Sequence, residues 1–248
     1  MKRQLHINLF IHSRGHHEAS WRHPRSTQRS LTDVGYYIDC ARKAEAACLD
    51  SIFLADVLNV PDDLDASARV WLEPITTLAA LAVTTSRIGL IGTASTTYAE
   101  PFNLARQFAS LDHISQGRAA WNIVTSFSAA AGRNFGSNAR PTHAGRYDKG
   151  DEFVEVAKAL WDSWSDDAIV DDRVCGLYAR KERIRAINHV GEHFRVAGPV
   201  NLPRCPQGRP VLVQAGSSET ARNLPPGMPR PCSPRIWKSG AHRSSIRT

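Results

Sequence analysis

The sequence contains no apolar run approaching the roughly 18–20 residues of a bilayer-spanning helix. Its best candidate, residues 78–83 (LAALAV), is bounded by threonines at 76, 77, 84 and 85, so a membrane partner is not expected. No G-x-G-x-x-G string occurs anywhere, which argues against a dinucleotide fold of the doubly wound type. None of the cysteines (Cys40, Cys48, Cys175, Cys205, Cys232) stands in a C-x-x-C pair, so neither zinc nor dithiol chemistry is indicated. Their odd number reads as reduced thiols in a cytoplasm. The start, Met1-Lys2-Arg3, is basic, but His6, Asn8 and His12 interrupt the apolar stretch of a signal peptide, and export is not expected.

What is present suits a soluble domain with a sizeable core: 248 residues, 42% of them apolar, a composition that excludes disorder and a collagen-like fold. The formal charge of +7 is local. From residue 220 onward six basic residues (Arg222, Arg230, Arg235, Lys238, Arg243, Arg247) meet no acidic one, and Pro225, Pro226, Pro229, Pro231 and Pro234 accompany them. The rest is nearly neutral. Residues 220–248 are therefore expected to be a divergent, disordered tail. A basic arm on nucleic acid is the competing reading, but no aromatic platform accompanies the charge and nucleic acid is not the expected partner.

Along the body, apolar strands alternate with amphipathic helices. Strands are expected at 5–11, 51–55, 87–92, 118–124 and 210–215. Helices are expected at 33–47, at 74–83 and from Pro101, and at 148–164, the last with Phe153, Val156, Ala157, Leu160 and Trp161 on one face. Residues 165–209 break this rhythm and read as an inserted loop region with a hairpin at 189–196. Strands apolar on both faces between helices indicate α/β architecture with a parallel sheet. The missing glycine fingerprint favours a (β/α)8 TIM-barrel type, with about five of its strand–helix units present.

Barrel chemistry collects at the C-terminal strand ends. There stand His12, Asp56, Thr93, Ser95, Asn122, Thr125, Ser126, Ser217 and Ser218. Each has a plain structural alternative. Ser217 and Ser218 could cap a helix, Asp56 could pair in its loop, Thr93 and Asn122 could satisfy backbone groups, and His143 and Tyr147 could pack in a loop. A metal on His12, His16, His17 and His23 is not expected, because few carboxylates are interleaved and adjacent histidines diverge.

Taken in order, SIFLAD (51–56), EPITTLAALAVTTSRIGLIGTAST (73–96), EPFNLARQFASLDHISQGRAAWNIVTS (100–126), RNFG (133–136), HAGRYDKGDEFVEV (143–156) and GRPVLVQAGSSE (208–219) resemble one family. It is that of the flavin-dependent, bacterial luciferase-like monooxygenases, in the branch of the nitrilotriacetate and dibenzothiophene sulfone enzymes. The resemblance implies insertion of one oxygen atom from O2 into a small organic substrate. Reduced FMN would come from a separate NAD(P)H-dependent flavin reductase. It also implies flavin contacts at Asp56, Thr93, His143, Tyr147 and Ser218, with Asn122 and Ser217 beside them and His12 and Ser126 on the substrate side. No side chain stands out as acid or base, and a homo-oligomer is left open.

Family chains continue for three further strand–helix units, whereas here similarity, acidic residues and periodicity all stop near residue 220. The expectation is a partial barrel over 1–219, ended by truncation or a change of reading frame. Two unpaired sheet edges and an open interior would follow, which argues against activity of the fragment. The alternative is a non-catalytic remnant, or a binding protein whose basic tail contacts nucleic acid.

Overall fold

A computed structural model describes residues 5–126, 128–136 and 143–214, with only the backbone given for residues 143 and 144. The chain opens with β1 (Asn8–Ile11), a single 3-10 turn (Glu18–Arg22), α1 (Val34–Ala46) and β2 (Ser51–Leu54). It continues through α2 (Pro74–Ala82), β3 (Gly89–Ser95), α3 (Pro101–Ser115) and β4 (Ala119–Val124). A short α4 (Ala129–Arg133) and the long α5 (His143–Trp161) follow. Two hairpins come next, β5 (Ile169–Asp172) with β6 (Leu177–Ala179) and β7 (His189–Val190) with β8 (Arg195–Val196), before β9 (Val211–Val213).

The helices begin where local chemistry satisfies their free N–H groups. The Asp33 carboxylate accepts from the amide of Gly35 at 2.8 Å, and that of Glu73 accepts from Ile75 and Thr76 at 2.9 and 2.7 Å. Pro74 and Pro101 occupy first-turn positions, where the missing N–H costs nothing.

The sheet has the order β1-β2-β3-β4-β9, and all four pairings are parallel. Strand order follows chain order without reversal, as in a sector of a (β/α)8 barrel and unlike a doubly wound sheet. Side-chain alternation confirms the sector. Ile52, Leu54, Leu90, Trp121, Ile123 and Leu212 point outward into one core with α1, α2, α3 and α5. The opposite face carries a small separate cluster of Ile91, Ala120 and Val213 with Phe53 and Val211. This inner face borders an open hollow of about 210 Å³. Gly92 belongs to the outer face, and a Cβ there would stand 2.9 Å from Leu78 Cδ1, so the bare backbone lets α2 close on the sheet.

The segment between α5 and β9 returns the chain to the sheet through specific anchors. The Gln207 side chain donates to Asp112 Oδ1 at 2.6 Å and to the Ala119 carbonyl at 2.7 Å, placing β9 beside β4. On α5, Glu152 accepts from the amides of His193 and Phe194, each at 2.9 Å, and bonds His189 Nε2 at 2.9 Å. Burial alone would raise this carboxyl, but the His189 and backbone hydrogen bonds outweigh it and hold the group at about 2.

Several boundaries differ from the sequence expectation, among them the first strand, which starts at Asn8 instead of 5. The third strand reaches Ser95 instead of ending at 92, because the β4 partner continues beside it through Val124. The last long helix runs from His143 to Trp161 instead of 148–164, so His143 and Tyr147 lie in a helix and not in a loop. The hairpin at 189–196 is present, whereas β5–β6 has no sequence period because Leu177 and Tyr178 are exposed.

Two outcomes test these packing roles. Arg118 donates to the carbonyls of Ala82, Thr85, Ile88 and Ser115, joining the ends of α2 and α3 to the start of β3. Thermal unfolding of Arg118→Ala is expected to show a loss of about 2–4 kcal/mol that Arg118→Lys does not restore, since a lysine cannot reach four carbonyls at once. At Gly191 a Cβ would collide with Glu152 Oε1, an oxygen that its bonds hold in place. Gly191→Ala should therefore cost about 1–3 kcal/mol. In the wild type the Glu152 contribution is complete above the ordinary carboxylate range and fades as pH falls towards about 2, so acid titration of Gly191→Ala should show a shallower acid limb.

Candidate functional site

The inner face changes character along its strands. Near the N-terminal ends, the Ser51 hydroxyl donates to Asn8 Oδ1 at 2.6 Å. Above this comes the apolar layer of Phe53, Ile91, Ala120 and Val211. Towards the C-terminal ends Thr93, Asn122 and Val213 stand in register on three neighbouring strands. A polar pair thus sits over an apolar floor.

Thr93 and Asn122 are 4% and 3% exposed, and Asn122 Nδ2 donates to Thr93 Oγ1 at 2.9 Å. Asn122 Oδ1 is buried and has no hydrogen-bond partner among the described residues. An amide oxygen left in that state costs about 1–3 kcal/mol, so the position calls for a donor from outside the sheet.

Asp56 lies just past β2, half-buried. Burial, and then the nearby charge of Glu73, pushes its carboxyl above the ordinary range, so it keeps a proton to higher pH than a free aspartate. His12 follows β1 and packs among rings: Phe10 at 5.3 Å, His16 at 5.2 Å and Trp71 at 5.5 Å between centroids. Burial, then His16 and Arg69, lowers its basicity. Tyr147 lines a small recess with Thr125, Gly150, Asp151 and Gln214 at the ends of β4 and β9. The Ser126 carbonyl lies 3.4 Å from Thr97 Oγ1 and 3.5 Å from Arg146 Nη1.

The described candidates all lie at one edge of the sheet. Thr93 and Asn122 touch, Tyr147 stands beside the end of β4, and His12 and Asp56 belong to the ends of β1 and β2. His143 starts α5, its side chain outside the described residues, as are Ser217 and Ser218. Among the described residues no group of three or more His, Cys, Asp or Glu side chains could hold a metal ion, and no helix is long and apolar enough to cross a membrane.

Some neighbours were not singled out from the sequence. Lys149 donates to the Thr97 carbonyl at 3.0 Å, and Asp151 shares the Tyr147 recess. Both belong to the string HAGRYDKGDEFVEV, where helical spacing from Tyr147 and Arg146 was the available signal. Trp71 stands in a Pro/Asp-rich loop with no periodicity to mark it.

A parallel barrel sector with polar groups gathered at its C-terminal edge defines a class of small-molecule enzyme scaffold. The chain belongs to the luciferase-like monooxygenase family, whose family model matches residues 6–224. It is 46% identical over 223 residues to N-acetyl-S-(2-succino)cysteine monooxygenase of Bacillus subtilis (strain 168), covering 90% of this chain and 51% of that protein. Nitrilotriacetate monooxygenase component A of Aminobacter aminovorans is 45% identical over 234 residues, covering 90% and 52%. Among solved structures, the long-chain alkane monooxygenase LadA superimposes with a TM-score of 0.83 at 36% identity, covering 90% of this chain and 54% of LadA. The riboflavin lyase RcaE, solved with modified FMN and riboflavin, gives 0.82 at 37% identity, covering 89% and 52%. The chain spans about half the length of these relatives.

The Thr93–Asn122 bond has a direct test. Thr93→Val keeps the shape and strands a buried amide donor, which should cost about 1–3 kcal/mol in denaturant unfolding. Adding Asn122→Leu should recover part of that loss, so the double-mutant cycle should show coupling of about 1 kcal/mol or more between the two positions.

Proposed function

We propose that the protein serves an FMN-dependent monooxygenation in which one oxygen atom of O2 enters a small organic substrate. A separate NAD(P)H-dependent flavin reductase would supply the reduced flavin in the cytoplasm. The single observation that carries this reading is the buried, unpartnered Asn122 Oδ1 beside Thr93. A planar ring with an imide edge has an N–H to offer that oxygen and carbonyls to receive the threonine hydroxyl. The donor set therefore fits the polar edge of an isoalloxazine. Family membership supports the choice, as does a similar structure that holds modified FMN. Relatives named as a component A and as synthase subunits A and B support a system with more than one protein.

On this reading Thr93 and Asn122 hold the ring, and Asp56, its carboxyl pushed above the ordinary range by burial and by Glu73, stands at the end of β2 as a further flavin contact. Tyr147 holds the ribityl chain and phosphate, together with His143, Ser217 and Ser218. Reduced FMN, when bound, supplies the two electrons that activate O2. The chain's own contribution is to bind and orient. Phe53, Ile91, Ala120, Val211 and Val213 offer the ring an apolar floor beneath its polar edge. His12 and Ser126 face the substrate. We further assign the barrel sector to residues 1–219, with 165–209 as its insertion and 220–248 as a separate basic tail.

Fluorescence titration of the whole chain with FMN, oxidised and anaerobically reduced, tests this reading. Saturable binding is expected, weakened about tenfold or more in Asn122→Leu, the equivalent of ~1.4 kcal/mol for one lost buried hydrogen bond. Absence of binding by the wild type, or an Asn122→Leu protein that binds FMN equally well, would contradict it.

A further inference from the structure

Helix α5 carries two groups outside the flavin assignment, and both engage the β7–β8 hairpin. One is Glu152, whose carboxylate gathers the His189 ring and two hairpin amides. The other is Lys149. Its ammonium lies 5.4 Å from the centre of the Phe194 ring and donates at 3.0 Å to the carbonyl of Thr97, in the loop that follows β3. Phe194 itself is 7% exposed and meets Phe153 edge-on, with ring centres 5.5 Å apart. Among the described residues Lys149 has no carboxylate within ion-pair distance.

A half-buried ammonium held by a ring face and a carbonyl has two fixed partners on separate elements. One partner belongs to the insertion and the other to the loop four residues after Thr93. Lys149 is also two residues from Tyr147 and three from Arg146, which reaches the loop after β4. The hairpin and the strand-end loops thus share contacts with the same stretch of α5.

We propose that Lys149 is a positioning residue: by joining the β7–β8 hairpin to the loop after β3, it fixes α5 and the strand ends in the arrangement that receives the cofactor. The role rests on the flavin reading for its consequence, though not for the link itself. The insertion then acts as a strap on the site, and not merely as a cover for the outer core. Removing the ammonium frees both partners together, whereas another side chain with a cation and donors at its tip keeps them joined.

Two measurements on the whole chain separate the link from its consequence. Hydrogen–deuterium exchange of Lys149→Met, without flavin, is expected to speed up both in residues 95–98 and around residue 194. FMN affinity of the same variant, taken well below its unfolding temperature, should fall about five- to tenfold, and Lys149→Arg should restore it to within about twofold. Unchanged exchange in either segment overturns the proposal, whether or not FMN binds. Affinity in Lys149→Met equal to wild type overturns it too, and so does Lys149→Arg as weak as Lys149→Met, since packing and not the link would then be at fault. A wild type that binds no FMN, with exchange responding as expected, removes the flavin reading and leaves the strap standing.

Discussion

The alternation of side chains across a parallel sheet is the constraint on which the rest depends. Each strand must satisfy two environments at once, helices outside and a hollow inside. Trp121 and Asn122 show the division on adjacent residues. Trp121 is fully buried in the helix-facing core, its indole N–H donating to the Ala94 carbonyl at 3.1 Å, while Asn122 turns to the inner face. Because β3 and β4 pair Thr93 with Asn122, the same register that completes the outer core brings two polar groups together inside. Site and scaffold are therefore set by one choice of register, and a slip of one residue would exchange polar and apolar positions.

Helix α5 extends that logic beyond the sheet. Its outer-core residues, Phe153, Val156, Ala157 and Leu160, seat it against α3 and the sheet, while its first turns lie over the loops after β3 and β4. The insertion closes on it through Glu152 and Phe194 and returns to the sheet through Gln207 at Asp112. Burial raises the Asp112 carboxyl, so Gln207 and the Ala119 amide serve a group that is costly to leave ionised alone. A long excursion between β4 and β9 is thus compatible with an ordered sheet, because its second hairpin is fixed to α5 and its last residues to Asp112 and Ala119 by polar contacts.

Much of the fold was legible in the sequence because the strands of a parallel sheet leave short, unbroken apolar runs such as IFLA (52–55) and IGLIG (88–92). Proline at the starts of α2 and α3 marked their positions equally well. The end of β3 was less legible: Thr93 and Ser95 are polar, and only pairing with β4 shows that they continue a strand. In the same way, Thr93 and Asn122 could be placed at strand ends from the sequence, but not in contact, since that contact depends on register between segments 29 residues apart. The roles of Lys149, Glu152 and Gly191 were hidden for a related reason. Lys149 and Glu152 act on a hairpin some forty residues away whose short strands have little hydrophobic period, and Gly191, within that hairpin, is defined by Glu152 on α5.

The central claim is that the inner face of this sector receives a flavin ring at Asn122. A crystal structure of the whole chain grown with FMN measures it most directly. The polar edge of the ring is expected within hydrogen-bond distance of Asn122 Oδ1 and Thr93 Oγ1, above Ile91 and Ala120. A ring bound elsewhere, with Asn122 Oδ1 satisfied by another part of the chain, would contradict it.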